Sequence, residues 1–90
     1  MGLPAIANTL LRRLPVGEAG FHVVCIYEGR VIDAVAGQYI RNAAMLQQVE
    51  QAGLKATMES GVFTVEEHIQ FMRIVRGEQF TIADYIPQGR

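Results

Sequence analysis

Tryptophan is absent, cysteine and lysine each occur once, and proline occurs three times in 90 residues. A lone Cys25 cannot close a disulfide within the chain. That sets aside the disulfide-stapled secreted scaffolds and makes the cytoplasm the expected compartment. No apolar run approaches the ~20 residues that span a bilayer, so no membrane partner is expected. Arg12 and Arg13 interrupt the leucine-rich start, which argues against a secretion signal. Ile6 stands where a myristoylation signal needs serine or threonine.

Charge of one sign is also lacking: seven arginines and one lysine face nine acids, for a net charge of −1. A chain that lives by phosphate contacts is usually markedly basic, so nucleic acid is not the first partner expected. Neither a dinucleotide-binding glycine pattern nor a phosphate loop is present, and no serine or cysteine sits at a recognisable nucleophile turn. The expected catalytic, metal and cofactor sets are accordingly all none.

What the chain does have is hydrophobic content, 50% of its residues, enough for one folded domain over 1–90. Residues 3–14 read as a short helix, with Leu3, Ile6, Leu10 and Leu14 on one side and Pro15 and Gly17 as its stop. Residues 20–37 hold the strongest turn signal, Glu28-Gly29 between two β-rich runs. A two-residue loop there pairs Tyr27 with Arg30, Ile26 with Val31 and Phe21 with Ala36. Residues 39–52 read as a helix closed by Gly53. Residues 54–59 alternate as a half-buried strand, Leu54, Ala56 and Met58 against Lys55, Thr57 and Glu59. Thr64-Val-Glu-Glu67 is a capping box that opens a helix over 64–76, and 79–86 reads as a last strand before Pro87.

The predicted fold is α+β with element order αββαβαβ: a mixed sheet of about four strands, made of the hairpin plus two helix-connected strands, and three helices. Alternation gives the hairpin two faces. One carries Phe21, Val23, Cys25, Ile32, Ala34 and Ala36; the other carries His22, Val24, Ile26, Val31, Asp33 and Val35. Neither is polar, so both need cover. Two crossover helices are expected over the Phe21 face, leaving the His22 face short of it.

The cheapest cover is a second copy, because two-fold homodimers are the commonest oligomers. The expectation is therefore a small non-enzymatic interaction or regulatory module, homodimeric through His22, Val24, Ile26, Val31, Asp33 and Val35, with Leu3 and Leu10 beside them. An unidentified protein partner is the other occupant considered. Two alternatives come from other classes. One is a nucleic-acid-binding regulatory protein using Arg12, Arg13, Arg30 and Arg73. The other is a small ligand-binding domain or enzyme using His22 and Asp33, diagonal neighbours on one hairpin face, beside a pocket lined by Met45, Met58 and Met72. His22 and Cys25 point to opposite faces of their strand and cannot share an ion. His68 lies on a helix remote in sequence from both.

Overall fold

A computed structural model describes residues 9–86, and the side chains from residue 11 onward. Four strands, β1 (Thr9–Val16), β2 (Gly20–Tyr27), β3 (Arg30–Ile32) and β4 (Val62–Thr64), form one sheet in the order β1-β2-β3-β4. Every pairing is antiparallel. Between β3 and β4 lie a 3-10 turn (Ala36–Tyr39) and two helices, α1 (Ala43–Gln51) and α2 (Lys55–Ser60). After β4 come α3 (Val65–Arg76) and α4 (Ile82–Tyr85). The class is α+β as expected, and among the described residues the sheet is wholly antiparallel in place of mixed and the α-helices are four in place of three.

Three assignments are corrected, two of them for the same physical reason. Residues 9–14 of the expected first helix belong to β1, while residues 3–8 lie outside the described residues. Residues 55–59 of the expected strand 54–59 fall in a helix, with Leu54 as its N-cap. In both stretches the informative apolar residues are four apart, Leu10 with Leu14 and Leu54 with Met58. That spacing shares a face in a helix and in a strand alike. Alanine settles the second case, since a good helix former at exposed Ala56 belongs to a helix. A partner settles the first, because β2 offers β1 a full ladder from Thr9↔Tyr27 to Val16↔Gly20. Pro15 is tolerated there because β1 is an edge strand.

The third correction is the expected last strand. Thr81-Ile-Ala-Asp84 is a capping box in which the Thr81 amide donates to Asp84 Oδ2 at 2.7 Å, and it starts α4. The equivalent signal at Thr64 behaves as expected, with Glu67 Oε1 accepting from the Thr64 amide at 2.8 Å.

The hairpin keeps its predicted register over Tyr27↔Arg30 and Ile26↔Val31. Glu28 (φ 51°) and Gly29 (φ 77°) both adopt the left-handed conformation that a two-residue turn of this twist requires. The expected Phe21–Ala36 pair does not form, because β3 ends at Ile32. The Asp33 amide instead donates to the Gly61 carbonyl at 2.8 Å, and the chain turns so that the Ala36 amide reaches the Asp33 carbonyl. Gly61 itself must be glycine: it sits at φ 78°, and a Cβ there would meet Ala34 Cα at 3.2 Å.

The helices pack on one face of the sheet, and the core lies between the two layers. Leu14, Val24, Val31 and Phe63 come from the strands and Phe71, Met72 and Tyr85 from the helices, none more than 1% exposed. Arg12 lies along the inner side of β1, its guanidinium donating to the Asp84 carbonyl at 3.0 and 3.3 Å, which ties the edge strand to α4. The opposite face of the sheet has no helix against it among the described residues, as its exposed side chains show below. None of the described helices is long and apolar enough to cross a membrane.

Candidate functional site

Five of the six residues expected at a partner interface are turned inward. His22, Val24, Ile26, Val31 and Asp33 are 7%, 1%, 6%, 0% and 2% exposed, while Val35, in the turn beyond β3, is open to solvent. The helices cover this face, with α2 and α3 packed on β4, α3 on β3 and α4 on β1. That placement is the reverse of the sequence expectation. The side chains of Leu3 and Leu10 lie outside the described residues.

The predicted His22–Asp33 neighbourhood is real, and it gains a third member. His22 Nε2 lies 2.8 Å from Asp33 Oδ2, and His68 Nε2, arriving from α3, lies 2.7 Å from the same oxygen. The two imidazole planes are 4° apart, with centroids separated by 6.3 Å. The far nitrogen of each ring meets a tyrosine: Tyr39 Oη is 2.7 Å from His22 Nδ1, and Tyr85 Oη is 2.7 Å from His68 Nδ1. The second oxygen, Asp33 Oδ1, is buried and has no hydrogen-bond partner among the described residues.

Each element places one member for a local reason. His22 is an inward position of β2, alternating with the outward Phe21 and Val23. Asp33 is held where β3 stops, by its own amide on Gly61. His68 belongs to the inward stripe of α3 with Val65, Phe71, Met72 and Val75. The Phe63 and Tyr85 rings pack edge-on against it at 4.9 and 5.4 Å.

The electrostatics follow from this wiring. Burial pushes the Asp33 carboxyl up, but hydrogen bonds from His22 and His68, together with the charges those rings can carry, outweigh it and hold the group at about 2. An ionised carboxylate only accepts, so both imidazoles present Nε2–H to Oδ2. In neutral rings the tyrosine hydroxyls then donate to Nδ1. The result is one continuous chain, Tyr39–His22–Asp33–His68–Tyr85. Burial raises the Tyr85 hydroxyl well above the ordinary tyrosine value, helped by the Asp84 and Asp33 charges. Tyr39 is raised by burial and by Asp33, against a smaller opposite effect of Arg76, whose guanidinium lies 5.5 Å from the Tyr39 ring centroid.

Sequence reasoning missed His68, Tyr39 and Tyr85. The signal for His68 was its place three residues after Val65 and four before Met72, which puts it on the buried line of the helix. No local signal marks the tyrosines, because both contacts are made through tertiary packing.

The outward face is the other candidate. Residues paired directly across strands share a face, so Leu11, Arg13 and Pro15 stand with Phe21, Val23, Cys25 and Tyr27, continuing to Arg30, Ile32, Val62 and Thr64. Leu11 is 75% exposed, Phe21 60%, Val23 51% and Val62 44%. Arg13 lies over the Phe21 ring at 5.8 Å. Among these outward positions there is no acid. Of the arginines expected to act together, Arg13 and Arg30 share this face, Arg12 is engaged with Asp84 on the inner side, and Arg73 is exposed on α3. Met58 and Met72 are buried in the core with Met45 half-buried beside it, and among the described residues no cavity opens at them or at His22 and Asp33.

Comparisons with protein-family models, with curated proteins and with solved structures find no match to this chain.

Proposed function

We propose that the protein is a small non-enzymatic interaction module that pairs with a second copy of itself through the outward face of its sheet. The observation that carries this reading is the apolar strip Leu11, Phe21, Val23 and Val62, uncovered among the described residues. Apolar faces of antiparallel sheets are usually packed. A two-fold axis sets the same patch against itself, so the patch must be self-complementary. A nearly uniform strip of aliphatic and aromatic side chains meets that requirement, and two such sheets pack face to face about 10 Å apart. Arg13 does not oppose the contact, since its guanidinium is already stacked on Phe21.

The strip is modest. Two strands of eight residues and two of three give a flat footprint of about 350 Å², at ~3.3 Å per residue and ~4.8 Å between strands. Stable complexes bury roughly 800 Å² of accessible surface per partner. The dimer is therefore expected to dissociate in the micromolar range. Sedimentation velocity over a concentration series should show monomer giving way to dimer, and Val23→Lys should hold the chain monomeric with its fold intact. A wild-type chain that stays monomeric at hundreds of micromolar would remove this reading.

A second reading is favoured by one specific feature of the same face. Phe21 and Tyr27 with Arg13 and Arg30, and no carboxylate among the outward positions, make a platform on which bases of a single strand could stack. Fluorescence anisotropy with a labelled single-stranded oligonucleotide at low salt separates the two. Binding that weakens steeply with salt and is lost in Phe21→Ala belongs to the platform.

A further inference from the structure

We propose that His22, Asp33 and His68 form a binding site for a single divalent first-row metal ion of the zinc class. Their ligand atoms all lie within 4.8 Å of one another, one donor from each residue. They come from three separate elements, and the three residues are buried at 7%, 2% and 0% exposure. Two imidazole nitrogens and a carboxylate are a donor set suited to Zn²⁺, Co²⁺ or Fe²⁺.

Two further observations point the same way. Asp33 Oδ1 is buried without a hydrogen-bond partner among the described residues, a costly state for a carboxylate oxygen. With Oδ2 as the single carboxylate donor, a water on the ion's fourth position would donate to this oxygen. The Nδ1 atom of each ring is also within 2.7 Å of a tyrosine hydroxyl. Metal-binding histidines almost always fix their free nitrogen on an oxygen in this way. Tyr39 and Tyr85 fill that position for His22 and His68.

Loading requires a small opening and a defined proton movement. Tetrahedral Zn²⁺ with bonds near 2.05 Å sets neighbouring ligand atoms about 3.3 Å apart. The present Nε2–Oδ2 separations are 2.8 and 2.7 Å, so the Asp33 oxygen moves back by roughly half an ångström while the two Nε2 atoms, within 4.8 Å of each other, draw together. Each ring surrenders its Nε2 proton and carries one on Nδ1 instead, which then donates to the tyrosine oxygen. For neutral rings the proton count is unchanged. The way in is the His22 and Tyr39 side, since Tyr39 is only half-buried while Tyr85 is fully enclosed.

The test uses the tag-free chain, stripped with a chelator and then dialysed against ZnCl₂. The bound zinc is measured by mass spectrometry. One equivalent per chain is expected, together with a higher midpoint of thermal unfolding. Co²⁺ in its place should give the visible absorption of a tetrahedral ion without thiolate charge-transfer bands. Asp33→Asn and His22→Gln should each weaken binding by at least about 100-fold, and Tyr39→Phe by about 10-fold. Cys25→Ser should change nothing. Should the ligand variants fail to fold, the wild type still decides: ¹⁵N spectra must show the proton of both rings passing from Nε2 to Nδ1 when Zn²⁺ is added. Failure of the stripped wild type to retain zinc would overturn the proposal. So would stoichiometric binding that survives both ligand variants or depends on Cys25, and so would imidazole protons that stay in place.

Discussion

Replacing Asp33 with alanine is expected to cost about 3–5 kcal/mol of folding stability, close to the upper end for a single substitution. The carboxylate is the common acceptor of two buried imidazoles, at 2.8 and 2.7 Å. Its removal strands two buried N–H donors, at roughly 1–3 kcal/mol each. The sign is set by the carboxyl itself. Its value in the folded chain, about 2 against an ordinary 3.8, means that the fold favours the ionised form despite burial. Asp33→Asn, which keeps one carbonyl oxygen in place, should lose less, about 1–2 kcal/mol. Urea denaturation of the metal-free chain at neutral pH measures both.

The same shift fixes a pH window. A group whose folded value is depressed contributes stability above its unfolded value and loses it as pH falls through the folded one. The metal-free chain should therefore lose about 2 kcal/mol between pH 4 and pH 2 through Asp33. In Asp33→Asn that component of the acid profile should vanish.

Phe63→Ala is expected to be about as severe. Phe63 is fully buried on β4 opposite Val31, its ring 4.9 Å from His68 and 5.2 Å from Phe71. Truncating a buried phenylalanine costs about 3–5 kcal/mol through lost transfer energy and a residual cavity. A domain of this length has only ~5–13 kcal/mol in total, so much of the population should unfold near physiological temperature. Phe63→Leu fills most of the space and should cost far less. Thermal unfolding followed by circular dichroism distinguishes the two, and equal melting points would mean that the ring is not the packing hub seen between sheet and α3.

Much of the fold was legible where one signal excluded its competitors. Glu28-Gly29 fixed a hairpin, and its register followed to within the length of β3. Thr64 with Glu67 marked the start of α3, and Gly53 marked the end of α1. Legibility failed where spacing was common to two structures, as at Leu10/Leu14 and Leu54/Met58. The reversal of the hairpin faces has the same origin. Phe21, Val23 and Cys25 are as apolar as His22, Val24 and Ile26, so composition alone gives no direction, and the choice depended on helices placed through two misassigned segments. His22 was the available clue. A histidine with a carboxylate diagonal to it can be buried at little cost when the pair is satisfied, whereas a bare valine on the outer face needs no partner at all. The pairing was found from register, but its third member required the tertiary approach of α3.

Both the proposed interface and the polar cluster depend on which face of the sheet is inside. Paired thermal melts of Val23→Lys and Val24→Lys address that question directly. Val23 is 51% exposed and Val24 is 1% exposed. Val23→Lys should melt within about 0.5 kcal/mol of the wild-type monomer, as surface changes do. Val24→Lys should lose at least about 4 kcal/mol, because an ammonium with no partner enters the core. A stable Val24→Lys beside an unfolded Val23→Lys would contradict this arrangement of the sheet and remove both the interface and the cluster with it.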